Sequence, residues 1–169
     1  MEIFVTNKLS EFIQINKLDS NQSENKKWSA NIFILDRKKN IIFTHKETLY
    51  SFIVTDLTKK DLGDLNEKII NELKIQLECD KIDVKNALNY FEISSTEDIF
   101  FLKTDNDRKT MGWTNDLLQV NKWLIEKNQQ DKLASTVFFA HNGMNKRPVN
   151  SRGFLSPIEI LNDKLGNKK

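Results

Sequence analysis

Lys103 to Asp116 reads Lys-Thr-Asp-Asn-Asp-Arg-Lys-Thr-Met-Gly-Trp-Thr-Asn-Asp and concentrates groups able to contact a ligand. Asp105, Asn106, Asp107, Asn115 and Asp116 supply hard oxygens of the kind that hold a divalent cation. A loop running into a helix start can also present amides to an anion. As a calcium loop the run is incomplete. With Asp105 at position one, Thr110 stands where the sixth-position glycine is needed and Asp116 where the glutamate is needed. The competing reading is turn chemistry, in which Asp and Asn bond their own backbone and Asn115 or Asp116 caps a helix. Arg108 offers a bidentate fork for phosphate or carboxylate. Gly112 permits a positive φ or a close approach, and Trp113 offers an indole to a base or to the core.

The second chemical group is basic. From His141 to Lys169 the chain holds Lys146, Arg147, Arg152, Lys164, Lys168 and Lys169 against Glu159 and Asp163. The whole chain carries only +2, so this tail is its one electrostatic footprint for an anionic partner. Metal and nucleophile chemistry have less to work with. One cysteine, Cys79, forms no internal disulfide and no cysteine metal site, and packing at a helix end is its expected role. With only His45 and His141 as imidazoles, a zinc centre would need carboxylates for its other ligands. Neither a metal site nor a cofactor is expected. His141 reads as a helix-end histidine facing carbonyls, and neither histidine has a visible catalytic partner.

These groups need a scaffold, and 169 residues with 38% hydrophobic content and eleven phenylalanines suffice for one domain with a core. Thirty per cent charge with two prolines and five glycines opposes a disordered or low-complexity chain. Apolar runs such as Ile32 to Leu35 reach four residues, against about 20 for a membrane span. The start lacks a basic segment and a long apolar one, so the cytoplasm is the expected compartment.

Glu2 to Thr6 reads as a strand, followed by a helical turn capped by Asn7 and carrying Leu9, Phe12 and Ile13. Asp19 to Lys27 reads as a loop. Trp28 to Asp36 alternates with both faces covered, as a central strand does. Asp36 to Asn40 punctuates a hairpin into Ile41-Ile42-Phe43, and Leu49 to Thr55 continues the meander. Asp64 and Glu67 resemble a capping box ahead of the stripe Leu65, Ile69, Leu73 and Leu77. Asp83 caps a shorter helix with Val84, Ala87, Leu88 and Phe91 inward. Ile99 to Lys103 is a buried strand, and Asn115 to Lys127 a helix. Leu133 to Asn142 has features of both helix and strand, with helix favoured and Gly143 ending it. Ser156, Pro157 and Glu159 mark a helix to about Leu165. The pattern gives a single α+β domain, a mostly antiparallel sheet with helices packed on it.

Much of the chain resembles a known family. Trp28 with Ala30-Asn31-Ile32-Phe33, then Asp36-Arg37-Lys38, Ile42-Phe43-Thr44, Thr48-Leu49-Tyr50-Ser51-Phe52, Lys59-Lys60-Asp61-Leu62 and Asn106 through Leu117 are similar to an uncharacterised bacterial family, domain of unknown function 6933. That resemblance implies a small stand-alone protein and transfers no catalytic role. Locally, Asn145-Lys146-Arg147-Pro148 and Gly153-Phe154-Leu155-Ser156-Pro157-Ile158-Glu159 resemble the segment closing the catalytic domain of insertion-sequence transposases. Such enzymes need three carboxylates on two metal ions. Asp36 and Asp105 fit strands of a ribonuclease-H-like order, and no third acid has matching spacing.

The expected function is an anion-binding module, associated with mobile elements or phage, that recognises nucleic acid or a phosphate ligand. The residues expected to bind are Asp105, Asp107, Arg108, Trp113, Asn115, Asp116, Lys146, Arg147 and Arg152. Two alternatives stand beside it. One is metal-assisted phosphoester hydrolysis by Asp36, Asp105 and Asp107, with Asp116 or Glu126 in reserve. The other is a protein-interaction role, as an inhibitor or antitoxin docking a protein partner through an apolar patch.

Overall fold

The computed structural model describes residues 1–16, 23–128 and 131–167. Part of the expected loop from Asp19, and the tail residues Lys168 and Lys169, lie outside the described residues. One five-stranded sheet runs in the order β4-β3-β2-β1-β5. Its strands are β1 (Glu2–Val5), β2 (Lys27–Leu35), β3 (Lys38–His45), β4 (Ser51–Leu57) and β5 (Phe100–Lys103). The helices are α1 (Asn7–Ser10), α2 (Leu65–Cys79), α3 (Val84–Tyr90), α4 (Arg108–Asn128), α5 (Lys132–Asn142) and α6 (Pro157–Lys164). The protein is α+β, and its longer ladders, β2 with β3 and β3 with β4, are antiparallel. β1 inserts between β2 and β5 and is parallel to both.

Alternation along the strands sends side chains to two cores. Ile3, Val5, Trp28, Ala30, Ile41, Phe43, Phe52 and Val54 face a large cluster with α2, α3 and α6. Ile42 and Ile53 point the other way, against Trp113 and Leu117 of α4 and Phe139 and Ala140 of α5. A strand covered on both sides reads as a continuous apolar run, and Ile41-Ile42-Phe43 is fully buried for that reason. The edge strand β4 packs one face against α2.

Local chemistry explains most boundaries. Asp36 and Arg37 take φ of 48° and 67°, so a two-residue turn with both centres left-handed joins β2 to β3. Asp83 accepts from Asn86 N at 2.7 Å and starts α3. Ser156 and Glu159 form the expected reciprocal box at α6. Residues 132–142 are helix, as favoured.

Several expectations are corrected. Thr6, not Asn7, caps α1. Asp64 makes no side-chain cap bond. The box lies upstream, where Asp61 accepts from Thr58 N and Oγ1 at 2.7 and 2.6 Å. β4 begins at Ser51 because Leu49, at φ 61°, closes the turn after His45, with Leu49 N donating to His45 O at 2.8 Å. Cys79 is exposed instead of packed. The largest correction is α4, which starts at Arg108, seven residues before the expected Asn115.

Candidate functional site, a cation-lined cleft

The early start of α4 reorganises the polar stretch. Asp107 is its cap, with Oδ1 accepting from Lys109 N at 3.1 Å and Thr110 N at 3.3 Å, and Oδ2 accepting from Thr110 Oγ1 at 2.5 Å. Burial pushes the Asp107 carboxyl up, but the Thr110 hydroxyl and amide together with the Lys46 charge hold it below its ordinary value. Asn115 and Asp116 are thus exposed helical residues and cap nothing. Gly112 lies within the helix and does not take positive φ. Asp105 is ion-paired with Lys46, whose ammonium also sits 3.7 Å from the centre of the Phe4 ring.

One turn along α4, Arg108, Lys109, Gly112, Trp113 and Asp116 form one wall of an open cleft of about 730 Å³. The opposite wall is Arg147 to Ser151, and Leu49 contributes to the lining. Trp113 is 9% exposed and donates from Nε1 to Leu49 O at 3.1 Å, so it serves as a fixed wall with its ring largely in the core. Its partner is the strained Leu49, which ties the cleft to the turn before β4.

Cations dominate the polar lining. Arg147 Nη2 lies 3.4 Å from Asp116 Oδ2 across the cleft. Arg147 Nη1 is buried with no hydrogen-bond partner among the described residues, and Arg152 Nε is in the same state. Arg152 is otherwise anchored, with Nη2 donating to Glu47 O at 2.7 Å. Burial lowers the Lys109 ammonium below its ordinary value, the nearby Arg152 charge lowers it further, and Asp107 opposes both. Repulsion of that kind is relieved when an anion arrives. A planar guanidinium with an unused N–H suits a phosphate or carboxylate oxygen.

Of the nine expected residues, the fold brings Arg108, Trp113, Asp116 and Arg147 to one cleft; Arg152 is outside its lining, although its charge acts on Lys109. Asp105, Asp107 and Asn115 are not in its lining. Lys146 is exposed away from it, within electrostatic reach of Cys79. Lys109 was missed by the sequence reading, and its only signal was adjacency to Arg108. The acids of the hydrolase alternative are dispersed. Asp36 pairs with Lys132, Asp105 with Lys46 and Asp116 with Arg147. Among the described residues no three His, Cys, Asp or Glu side chains form a group that could hold a metal ion. Nor is any described helix long and apolar enough to cross a membrane.

His45 is a core residue. Its ring lies against Trp28 and Phe91 at centroid distances of 5.0 and 4.9 Å. Nδ1 accepts from Thr48 N at 3.3 Å, which leaves Nε2–H to donate to Asn25 O at 3.2 Å. Burial lowers its pKa to about 4, so the ring is neutral near pH 7.

Fold and cleft together define an α+β protein with an arginine-lined surface site. Over residues 2–160 the chain matches the sequence profile of the domain of unknown function DUF6933, and it belongs to that family. No curated protein and no solved structure matches it.

Proposed function

We propose that this protein is a binding module whose α4 cleft takes a phosphorylated ligand. The observation that carries this is the placement of Arg108, Lys109 and Arg147 around one concave site in which Asp116 is the only acid among the described lining residues. Arg147 Nη1 adds a buried donor without a partner among the described residues, and leaving such a donor unpaired costs about 1–3 kcal/mol. An oxyanion bound between the two walls offers Arg147 an acceptor and offsets the positive charge crowded around Lys109. Apolar lining from Leu49, Trp113, Pro148 and Val149 supplies a rigid floor for the remainder of the ligand.

The test is calorimetric titration with pyrophosphate, against chloride at matched ionic strength. Binding by the wild type, lost in an Arg108→Ala/Arg147→Ala double variant with an unchanged circular dichroism spectrum, is the expected result. Equal heats for wild type and double variant would remove the cleft from consideration.

A further inference from the structure

We infer that the phosphorylated ligand is single-stranded nucleic acid, held by its phosphates in the α4 cleft and by a base stacked on Phe154. The inference rests on the anion-binding reading of the cleft and adds an observation outside it. Phe154 is 68% exposed and has its backbone at φ 65°. A bulky residue in the left-handed region is costly, and exposed aromatic surface gains nothing from the core. Both are present on one residue, immediately after Gly153, which also lies at φ 65°.

The loop that carries Phe154 is built to be rigid. Val149 N donates to Leu155 O at 3.0 Å, Phe154 N to Val149 O at 3.1 Å and Arg152 N to Val149 O at 3.0 Å. Val149 is buried in the core beneath the cleft, and Arg152 is pinned to Glu47 O. The ring is therefore presented on a fixed frame, which lowers the entropic cost of stacking.

Position selects the ligand class. Ser151 lines the cleft, and Phe154 follows three residues later, so their Cα atoms are within about 11 Å. That limit keeps Phe154 within a few nucleotides of any phosphate held in the cleft. Guanidinium contacts to phosphates beside an aromatic face for a base are the combination that binds unpaired strands without reading sequence. In a duplex the base faces are already stacked and cannot meet the Phe154 ring.

The experiment is fluorescence anisotropy with labelled dT12 and U12 oligonucleotides, a 12-base-pair duplex and a twelve-glutamate peptide, each on the full chain. The wild type should bind the single strands more tightly than the duplex or the peptide. With three phosphate contacts, the logarithm of affinity should fall with the logarithm of salt at a slope of about −2. Phe154→Ala should weaken dT12 binding about ten-fold and leave pyrophosphate binding unchanged, and Phe154→Trp should retain the affinity. An unaltered dT12 affinity in Phe154→Ala overturns the inference. So does equal binding of duplex or glutamate peptide, the latter pointing to an acidic protein partner. Pyrophosphate binding without dT12 binding removes this inference alone, and failure of both probes removes the cleft reading as well.

Discussion

Asn145 grips the backbone of Ser51, 94 residues earlier, with Oδ1 accepting from Ser51 N and Nδ2 donating to Ser51 O, both at 2.8 Å. A buried side-chain amide thus completes the start of edge strand β4 as a neighbouring strand would. The same Nδ2 donates to Asp80 Oδ2 at 2.9 Å, where Tyr50 OH and Gln76 Nε2 also donate at 2.9 Å. Gln76 Nε2 in turn donates to Ala140 O at 2.9 Å. Residues from α2, β4, α5 and the segment leading to the cleft therefore meet at one point.

Asn145→Ala leaves the Ser51 amide and carbonyl buried and unpaired, and should cost about 2–4 kcal/mol in urea unfolding. Asn145→Asp retains an acceptor for Ser51 N but brings a second carboxylate against Asp80, and should be at least as damaging. A loss under 1 kcal/mol for the alanine variant would mean the clasp is not a structural anchor.

Stability should fall as pH is lowered from 6.5 towards 4, because the unfolded chain protonates His45 at its ordinary pKa while the folded core resists until about 4. The folded pKa is depressed, so the unfolded state holds more protons in that window, and the loss approaches about 3 kcal/mol. Asp98, held down to about 2 chiefly by the Ser94 hydroxyl and amide, loses its contribution only at lower pH. Glu72, raised by burial, acts in the opposite direction. A difference curve of wild type against His45→Gln isolates the histidine. The variant should be less stable at pH 7 and flatter between pH 6.5 and 4.5.

Gly112→Ala should stabilise the fold. Gly112 is inside α4, and a Cβ there meets no atom within 4 Å. Alanine is favoured over glycine in a helix interior by about 1 kcal/mol, equivalent to a melting temperature higher by roughly 2–4 °C for a chain of this size. The added methyl also stands in the cleft wall, so differential scanning calorimetry should report a gain while pyrophosphate titration reports no gain.

Asp116→Asn should strengthen pyrophosphate binding up to about five-fold, the range set by a partly exposed ion pair of 0.2–1 kcal/mol. The substitution removes the acid that pairs with Arg147 and so competes with the ligand for it. Weaker binding in calorimetry would mean that Asp116 orients Arg147 instead of competing for it.

Much of the fold was legible because it is written in short-range patterns. The stripe Leu65, Ile69, Leu73 and Leu77, the Asp83 cap and the Ser156–Glu159 box involve residues within a few positions of one another, and each formed. The start of α4 was missed because Asp-Arg-Lys-Thr satisfies turn chemistry and helix capping equally well, and only packing of Trp113 and Leu117 on the sheet chooses between them. Asp64 offered the same local signal but makes no side-chain cap bond, and the box that forms belongs to the separate short turn Lys59–Leu62.

The sequence by itself determined most of the segments that become strands and helices, that no described helix is long and apolar enough to cross a membrane, and which arginines and aromatics were available for a ligand. Tertiary structure alone decided that β1 runs parallel between β2 and β5, that Asp105 pairs with Lys46, and that Arg108 and Arg147 line one cleft. Those relationships join residues tens of positions apart. Periodicity and capping act over a few residues, whereas the partner of a buried charge or amide is fixed only when both sides of the sheet close.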